Sequence, residues 1–190
     1  TFDDFAPDLS PGGTEVAYYS LSSGTREIFI KGITGGPPQQ VAATRGQQLY
    51  PKWSPDGRSL AFQEEVGLVQ ALCVTRRGES GRWGPPVALR RMKPLGGSWL
   101  PGGRFLAYPN RGALEIIAAD TGAARVAYAP SPGSTDPKVE SVVPSEDGRT
   151  LYFKSHDADG RASIWAVPTV GGRPRVLVRV IKQEDRHESG

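Results

Sequence analysis

A turn of the form Ser/Leu-x-x-Gly, followed at once by a short apolar run, occurs four times in this chain of 190 residues. The copies are Ser10-Pro11-Gly12-Gly13, Ser54-Pro55-Asp56-Gly57, Leu100-Pro101-Gly102-Gly103 and Ser145-Glu146-Asp147-Gly148, and their last glycines lie 44, 46 and 45 residues apart. A fixed period of this length marks a repeat architecture, which constrains the fold more than any single residue does.

After each glycine an aliphatic residue stands at the third position (Val16, Leu60, Leu106, Leu151) and an aromatic one at the fifth (Tyr18, Phe62, Tyr108, Phe153). A spacing of two sends both side chains from the same face of an extended strand. Further strands follow in each copy: Glu27 to Lys31 and Gln39 to Ala43 in the first, Ser163 to Val167 and Arg175 to Val178 in the fourth. One more precedes each turn, at Phe5 to Leu9, Leu49 to Trp53, Gly97 to Leu100 and Glu140 to Val143. Four strands per unit of about 45 residues predict an all-β chain, a β-propeller with four blades of four antiparallel strands each.

The expected blades span about 1–44, 45–90, 91–137 and 138–181, with 182–190 a polar disordered tail. Each unit buries its apolar faces only against its neighbours, so four blades that do not close leave two flanks uncovered. The expectation is an incomplete arc of a larger ring, completed by further blades or by self-association. The abrupt start at Thr1, inside a predicted strand, reads as a piece of something longer or a processed product.

Composition narrows the function classes. The 24 glycines and 17 prolines fit a turn-rich β-fold. Net charge is +3, from 23 basic and 20 acidic residues without a basic block, which argues against a nucleic-acid partner. No apolar run is long enough for a membrane-spanning helix, and no signal segment opens the chain. Cys73 stands alone, so no internal disulfide forms, and its apolar surroundings predict a buried, inert thiol.

The segments Phe5-Ala6-Pro7-Asp8-Leu9-Ser10-Pro11-Gly12-Gly13 and Tyr50-Pro51-Lys52-Trp53-Ser54-Pro55-Asp56-Gly57-Arg58-Ser59-Leu60-Ala61-Phe62 resemble the repeat of TolB-like β-propellers. The third copy departs most, with Leu100 for serine and Gly102 for aspartate. The resemblance implies that the serine and aspartate fix the turn by side-chain to backbone hydrogen bonds, and that the glycine takes a positive φ. It also implies a periplasmic or otherwise extracytoplasmic bacterial setting. Three kinds of role follow from it: partner-binding assembly proteins, sensor-like domains attached to kinases, and gating propellers of prolyl-oligopeptidase-like serine peptidases. Fold alone does not choose among them.

No catalytic or cofactor motif is expected. There is no Gly-x-Ser-x-Gly elbow, so a peptidase's catalytic domain would lie outside this chain. His156 and His187 lack partners at zinc-ligand spacing. Asp157-Ala158-Asp159-Gly160 lacks the rest of a calcium loop and reads as a hairpin connection. Ser145 to Thr150 lacks the residue that separates aspartate from glycine in a sialidase aspartate box. Trp53 and Trp99, just before their turns, should pack between blades, whereas Trp83 is expected at the surface.

The function therefore expected is that of a non-enzymatic protein-interaction or scaffold module. Loops on a rigid scaffold usually carry binding, and the rim opposite the glycine turns collects the links Thr44 to Gln48, Arg90 to Pro94 and Ala129 to Lys138. The candidate partner-binding residues there are Arg45, Gln48, Arg90, Arg91, Lys93 and Lys138, and the positive charge of the five cations would receive an acidic peptide or protein segment.

Overall fold

A computed structural model describes residues 4–21, 24–41, 44–93 and 96–179. They form sixteen strands and no helix. The first sheet comprises β1 (Asp4–Leu9), β2 (Glu15–Ser20), β3 (Glu27–Gly32) and β4 (Gln39–Gln40). The second comprises β5 (Gln47–Trp53), β6 (Ser59–Val66), β7 (Val69–Arg76) and β8 (Val87–Arg91). The third comprises β9 (Ser98–Trp99), β10 (Phe105–Asn110), β11 (Ala113–Ala118) and β12 (Ala124–Tyr128), and the fourth β13 (Ser141–Pro144), β14 (Thr150–His156), β15 (Ala162–Pro168) and β16 (Arg175–Arg179). Every sheet runs antiparallel in chain order, the meander of a propeller blade.

The expected outermost strand of the first blade stops at Gln40; the remainder of Gln39 to Ala43 includes positions outside the described residues. Arg90 and Arg91, expected in a link, close strand β8 instead, paired with Leu72 and Ala71. Pro94 and the tail 182–190 also lie outside the described residues.

The turns confirm the physical basis of the repeat. Gly13, Gly57, Gly103 and Gly148 share φ values of 66° to 68°, which favour glycine over any residue with a Cβ. In the second blade Ser54 Oγ donates to Asp56 Oδ1 (2.5 Å) while accepting from Ser59 N (2.8 Å), and Arg58 N donates to the same aspartate oxygen (3.0 Å). The fourth blade repeats this with Ser145, Asp147, Arg149 and Thr150. The third, with Leu100 and Gly102, keeps the backbone bonds from Gly103 N to Leu100 O (3.1 Å) and from Leu100 N to Phe105 O (2.9 Å) without the side-chain ones.

Three interfaces, one between each pair of successive blades, hold the core. A trailing face of one blade meets a leading face of the next. The leading faces carry the sequence-repeated pairs Leu60 and Phe62, Leu106 and Tyr108, Leu151 and Phe153. Opposite them, the residue between aliphatic and aromatic points to the interface with the following blade: Ala17, Ala61 and Ala107 are each fully buried there. Ile28, Leu72 and Leu114 accompany them. Trp53 and Trp99 pack into these seams as expected, and Trp99 Nε1 donates to Lys52 O across blades two and three (2.9 Å).

Smaller contacts lock the blades in step. Pro11, Pro55 and Pro101 each lie under the glycine turn of the following blade. Asp8 accepts from Lys52 Nζ (2.9 Å) and Trp53 N (2.7 Å), tying the first two innermost strands. The Tyr108 ring sits directly over Gly97, where a methyl group would overlap it. The blades thus form a continuous arc from first to fourth, and among the described residues no strand of the fourth sheet touches the first.

Candidate functional site

Between blades two and three, the end of β8 and the β10–β11 turn enclose a cleft of about 560 Å³ lined by Arg90, Arg91, Met92, Lys93, Pro109, Asn110 and Arg111. Its position follows from the local chain geometry. β8 pairs with β7 at Leu72 and Ala71 and delivers two successive arginines to the rim, while Arg111-Gly112 turns β10 into β11. Both turn residues have positive φ, 51° for Arg111 and 82° for Gly112. A bulky cationic residue in the left-handed region is uncommon and costs on the order of 1 kcal/mol, so the surrounding strands hold it there.

Glu115, on β11, lies behind two of the cleft's lining residues, Arg90 and Asn110. It is buried, accepts from Asn110 Nδ2 (2.9 Å), and pairs with Arg90, whose Nε lies 3.0 Å from Oε2. Arg90 thus spends its charge on a buried carboxylate of the neighbouring blade. The exposed cations Arg91, Lys93 and Arg111 have no carboxylate partner among the described residues. Three unneutralised cations around one concavity make a local positive field much stronger than the chain's modest net charge conveys.

The remaining expected residues divide. Lys138, in the link before β13, lays its aliphatic stem against Gly112 and so borders the same turn. Arg45 is exposed on the link between blades one and two, along a separate stretch of the rim. Gln48 is only 1% exposed. Its Oε1 accepts from Ile28 N (3.1 Å) and its Nε2 donates to Thr44 Oγ1 (3.1 Å), so the side chain joins blade one to blade two. Arg111, absent from the expected set, had a legible signal: an Arg-Gly pair between two apolar strands.

Trp83 corrects another expectation. It is half-buried, not surface-exposed, and packs tilted against Trp53 at 5.6 Å. Arg77 lies over both rings, 5.3 Å from Trp53 and 4.8 Å from Trp83, while its guanidinium grips Glu15 of blade one through two bonds of 2.8 and 2.9 Å. The sandwich is an interblade clasp.

Chemistry-bearing side chains elsewhere are engaged structurally. Burial, reinforced by nearby Glu64, pushes the Cys73 thiol up to about 12. His156 Nδ1 meets the Glu140 carboxylate at 2.7 Å. Asp157 closes its hairpin by accepting from Asp159 N and Arg161 N. Among the described residues, no group of three or more His, Cys, Asp or Glu side chains is placed to hold a metal ion. No helix there is long and apolar enough to cross a membrane.

Four radially packed antiparallel sheets with nested glycine turns define a β-propeller, and its fold is similar to that of TolB structures. The solved structures it resembles include the putative TolB from Agrobacterium tumefaciens, with TM-score 0.71 and 21% identity, covering 94% of this chain and 62% of that one. TolB from Acinetobacter baumannii gives 0.69 and 14%, covering 94% and 44%. A prolyl endopeptidase gives 0.66 and 14%, covering 95% and 30%. The chain thus spans about half the length of the TolB structures, and at these identities the likeness concerns the fold. No protein-family model and no curated protein sequence matches the chain.

Proposed function

We propose that this chain is a non-catalytic propeller module that captures an acidic segment of a protein partner in the cleft between its second and third blades. The observation that carries this reading is the convergence of Arg91, Lys93 and Arg111 on one concavity, beside a buried Glu115 that engages Arg90 and Asn110. Lys138 and Arg45 extend the positive rim to either side. Gln48 belongs to the scaffold that holds the link, not to the contact surface. An extended peptide rich in Asp and Glu suits such a site, because charge-assisted hydrogen bonds from arginine are directional and paired.

The test is fluorescence anisotropy with a labelled Glu/Asp-rich decapeptide at low salt, beside a Lys-rich control. The acidic peptide should bind, the control should not, and raising salt should weaken binding because screening shortens to about 8 Å at 0.15 M. Arg91→Ala, Lys93→Ala and Arg111→Ala together should reduce affinity at least about tenfold, roughly 1.4 kcal/mol. Arg90 stays intact, since its removal would strand Glu115. Unchanged affinity in the triple variant removes the reading.

A second reading, the substrate-gating propeller of a serine peptidase, draws on the match to a prolyl endopeptidase over 95% of the chain. It expects the rim to meet a folded hydrolase surface and predicts no affinity for an unstructured acidic peptide.

A further inference from the structure

Between blades three and four the outer end of the seam opens into a second cleft, of about 700 Å³. β12 and the link that follows it form one side, and Trp165, the β15–β16 turn and Arg179 the other. The volume falls in the range of small-molecule sites, roughly 300–1,000 Å³. No residue lines both this cleft and the one between blades two and three.

Equivalence between blades shows what is unusual here. Strand register sets Trp165 opposite Phe153, as it sets Cys73 opposite Phe62 and Glu115 opposite Tyr108, so the three occupy one place in successive blades. Cys73 is 0% exposed, and Glu115 is 7% exposed and meets Arg90 of the preceding blade. At the seam between blades three and four, Tyr128 stands in the place of Arg90 and Trp165 in that of Glu115. The largest of the three side chains is thus the one left half-buried.

Its ring is held in place. Phe153 stacks on it, 6.5 Å away and 12° from parallel, and Tyr128 stacks on Phe153 at 5.6 Å. Trp165 Nε1 donates to Ser163 Oγ (2.8 Å), which fixes the orientation of the indole. The facing wall is also built: Ser131 N donates to Asp136 Oδ2 (2.9 Å), Ser134 Oγ to Ser131 O (2.8 Å) and Tyr128 Oη to Pro137 O (2.9 Å).

Asp136 is engaged within its own loop, whereas Arg173 and Arg179, both exposed, line the cleft with no carboxylate partner among the described residues. A flat apolar wall beside two unneutralised guanidinium groups is complementary to a flat apolar body that carries a negative charge. Burying a ring against an indole is favourable, and arginine binds carboxylates through paired bonds while being only weakly hydrated itself. We infer that this cleft binds a small organic carboxylate with an aromatic body, its ring against Trp165 and its charge satisfied by the cleft's arginines.

Isothermal titration calorimetry of the whole chain with 2-naphthoate, beside its uncharged analogue 2-naphthamide, tests this. The naphthoate should bind one to one with a submillimolar dissociation constant, and the naphthamide at least about tenfold more weakly. Arg173→Gln and Arg179→Gln together should bring naphthoate down to the affinity of the amide. Arg58→Gln and Arg104→Gln, which remove the same charge from exposed turns elsewhere, should not. Indole N–H signals in an NMR spectrum give a local readout, since the chain has four tryptophans. Naphthoate should shift the Trp165 signal, assigned with Trp165→Phe, more than those of Trp53, Trp83 and Trp99. Absence of saturable binding at millimolar naphthoate overturns the inference. So do equal affinities for the two probes, an arginine double variant that binds like the wild type, or shifts confined to the other three indoles.

Discussion

Cys73 shows how far burial alone changes a residue's chemistry. Its thiol lies in the interface between blades one and two and approaches Glu64 Oε2 at 3.5 Å. The raised value, about 12, favours the neutral thiol in the folded state. The stabilisation is therefore complete below the unfolded thiol's pKa of about 8.5 and fades as pH rises from there toward the folded value. A thiol reagent at pH 8 should label Cys73 negligibly in native protein and stoichiometrically after denaturation, read from the colour released; rapid native labelling would contradict this. Sequence pattern was enough to place this residue inside. It was not enough for Trp83 or Gln48, whose loop positions predict exposure, because their burial depends on partners far away in the chain, Trp53 for the one and Ile28 for the other.

At the scale of the element, the glycine turn is the unit that repeats, and its aspartate gives it a pH dependence. For Asp56, partial burial acts to raise the carboxyl pKa, but hydrogen bonds from Ser54 Oγ and Arg58 N outweigh it and the net shift is downward. Asp147 is lowered as well, chiefly by the Ser145 hydroxyl. A depressed folded pKa contributes stability that is present above the unfolded carboxylate value of about 4 and is lost as pH falls through the folded one. Melting temperature should thus decline below about pH 4. Asp56→Ala should cost about 1 kcal/mol at neutral pH, the worth of a hydrogen-bonded turn, and should flatten the acid decline. A variant that melts with the wild-type acid profile would show that the turn does not depend on this carboxylate. The strands around these turns were legible almost to the residue, since period-two patterning and positive-φ glycines are local signals. The end of β8 was not, because pairing with β7 extends a strand through two arginines that composition alone assigns to a link.

The whole molecule behaves as a row of blades, each stabilised by its neighbours. Blades two and three are covered on both faces, while one and four are covered on one face each. Backbone amides of β1–β4 and β13–β16 should exchange hydrogen faster than those of β6, β7, β10 and β11. Mass spectrometry of peptic fragments reads this directly, and uniform protection across all four blades would refute a nearest-neighbour account.

The sequence by itself determined the architecture: a period near 45 residues, turns that demand a left-handed glycine, and alternating apolar positions admit little besides radially arranged four-stranded sheets. Only the tertiary structure decided which cations are available. Arg90 is drawn to a buried carboxylate on the next blade, whereas Arg91, Lys93 and Arg111 are brought around one cleft, and pairing between residues distant in the chain leaves no periodic trace. The same holds for the open flanks, since Val16 and Leu60 read alike in the sequence and differ only in whether another sheet lies across them.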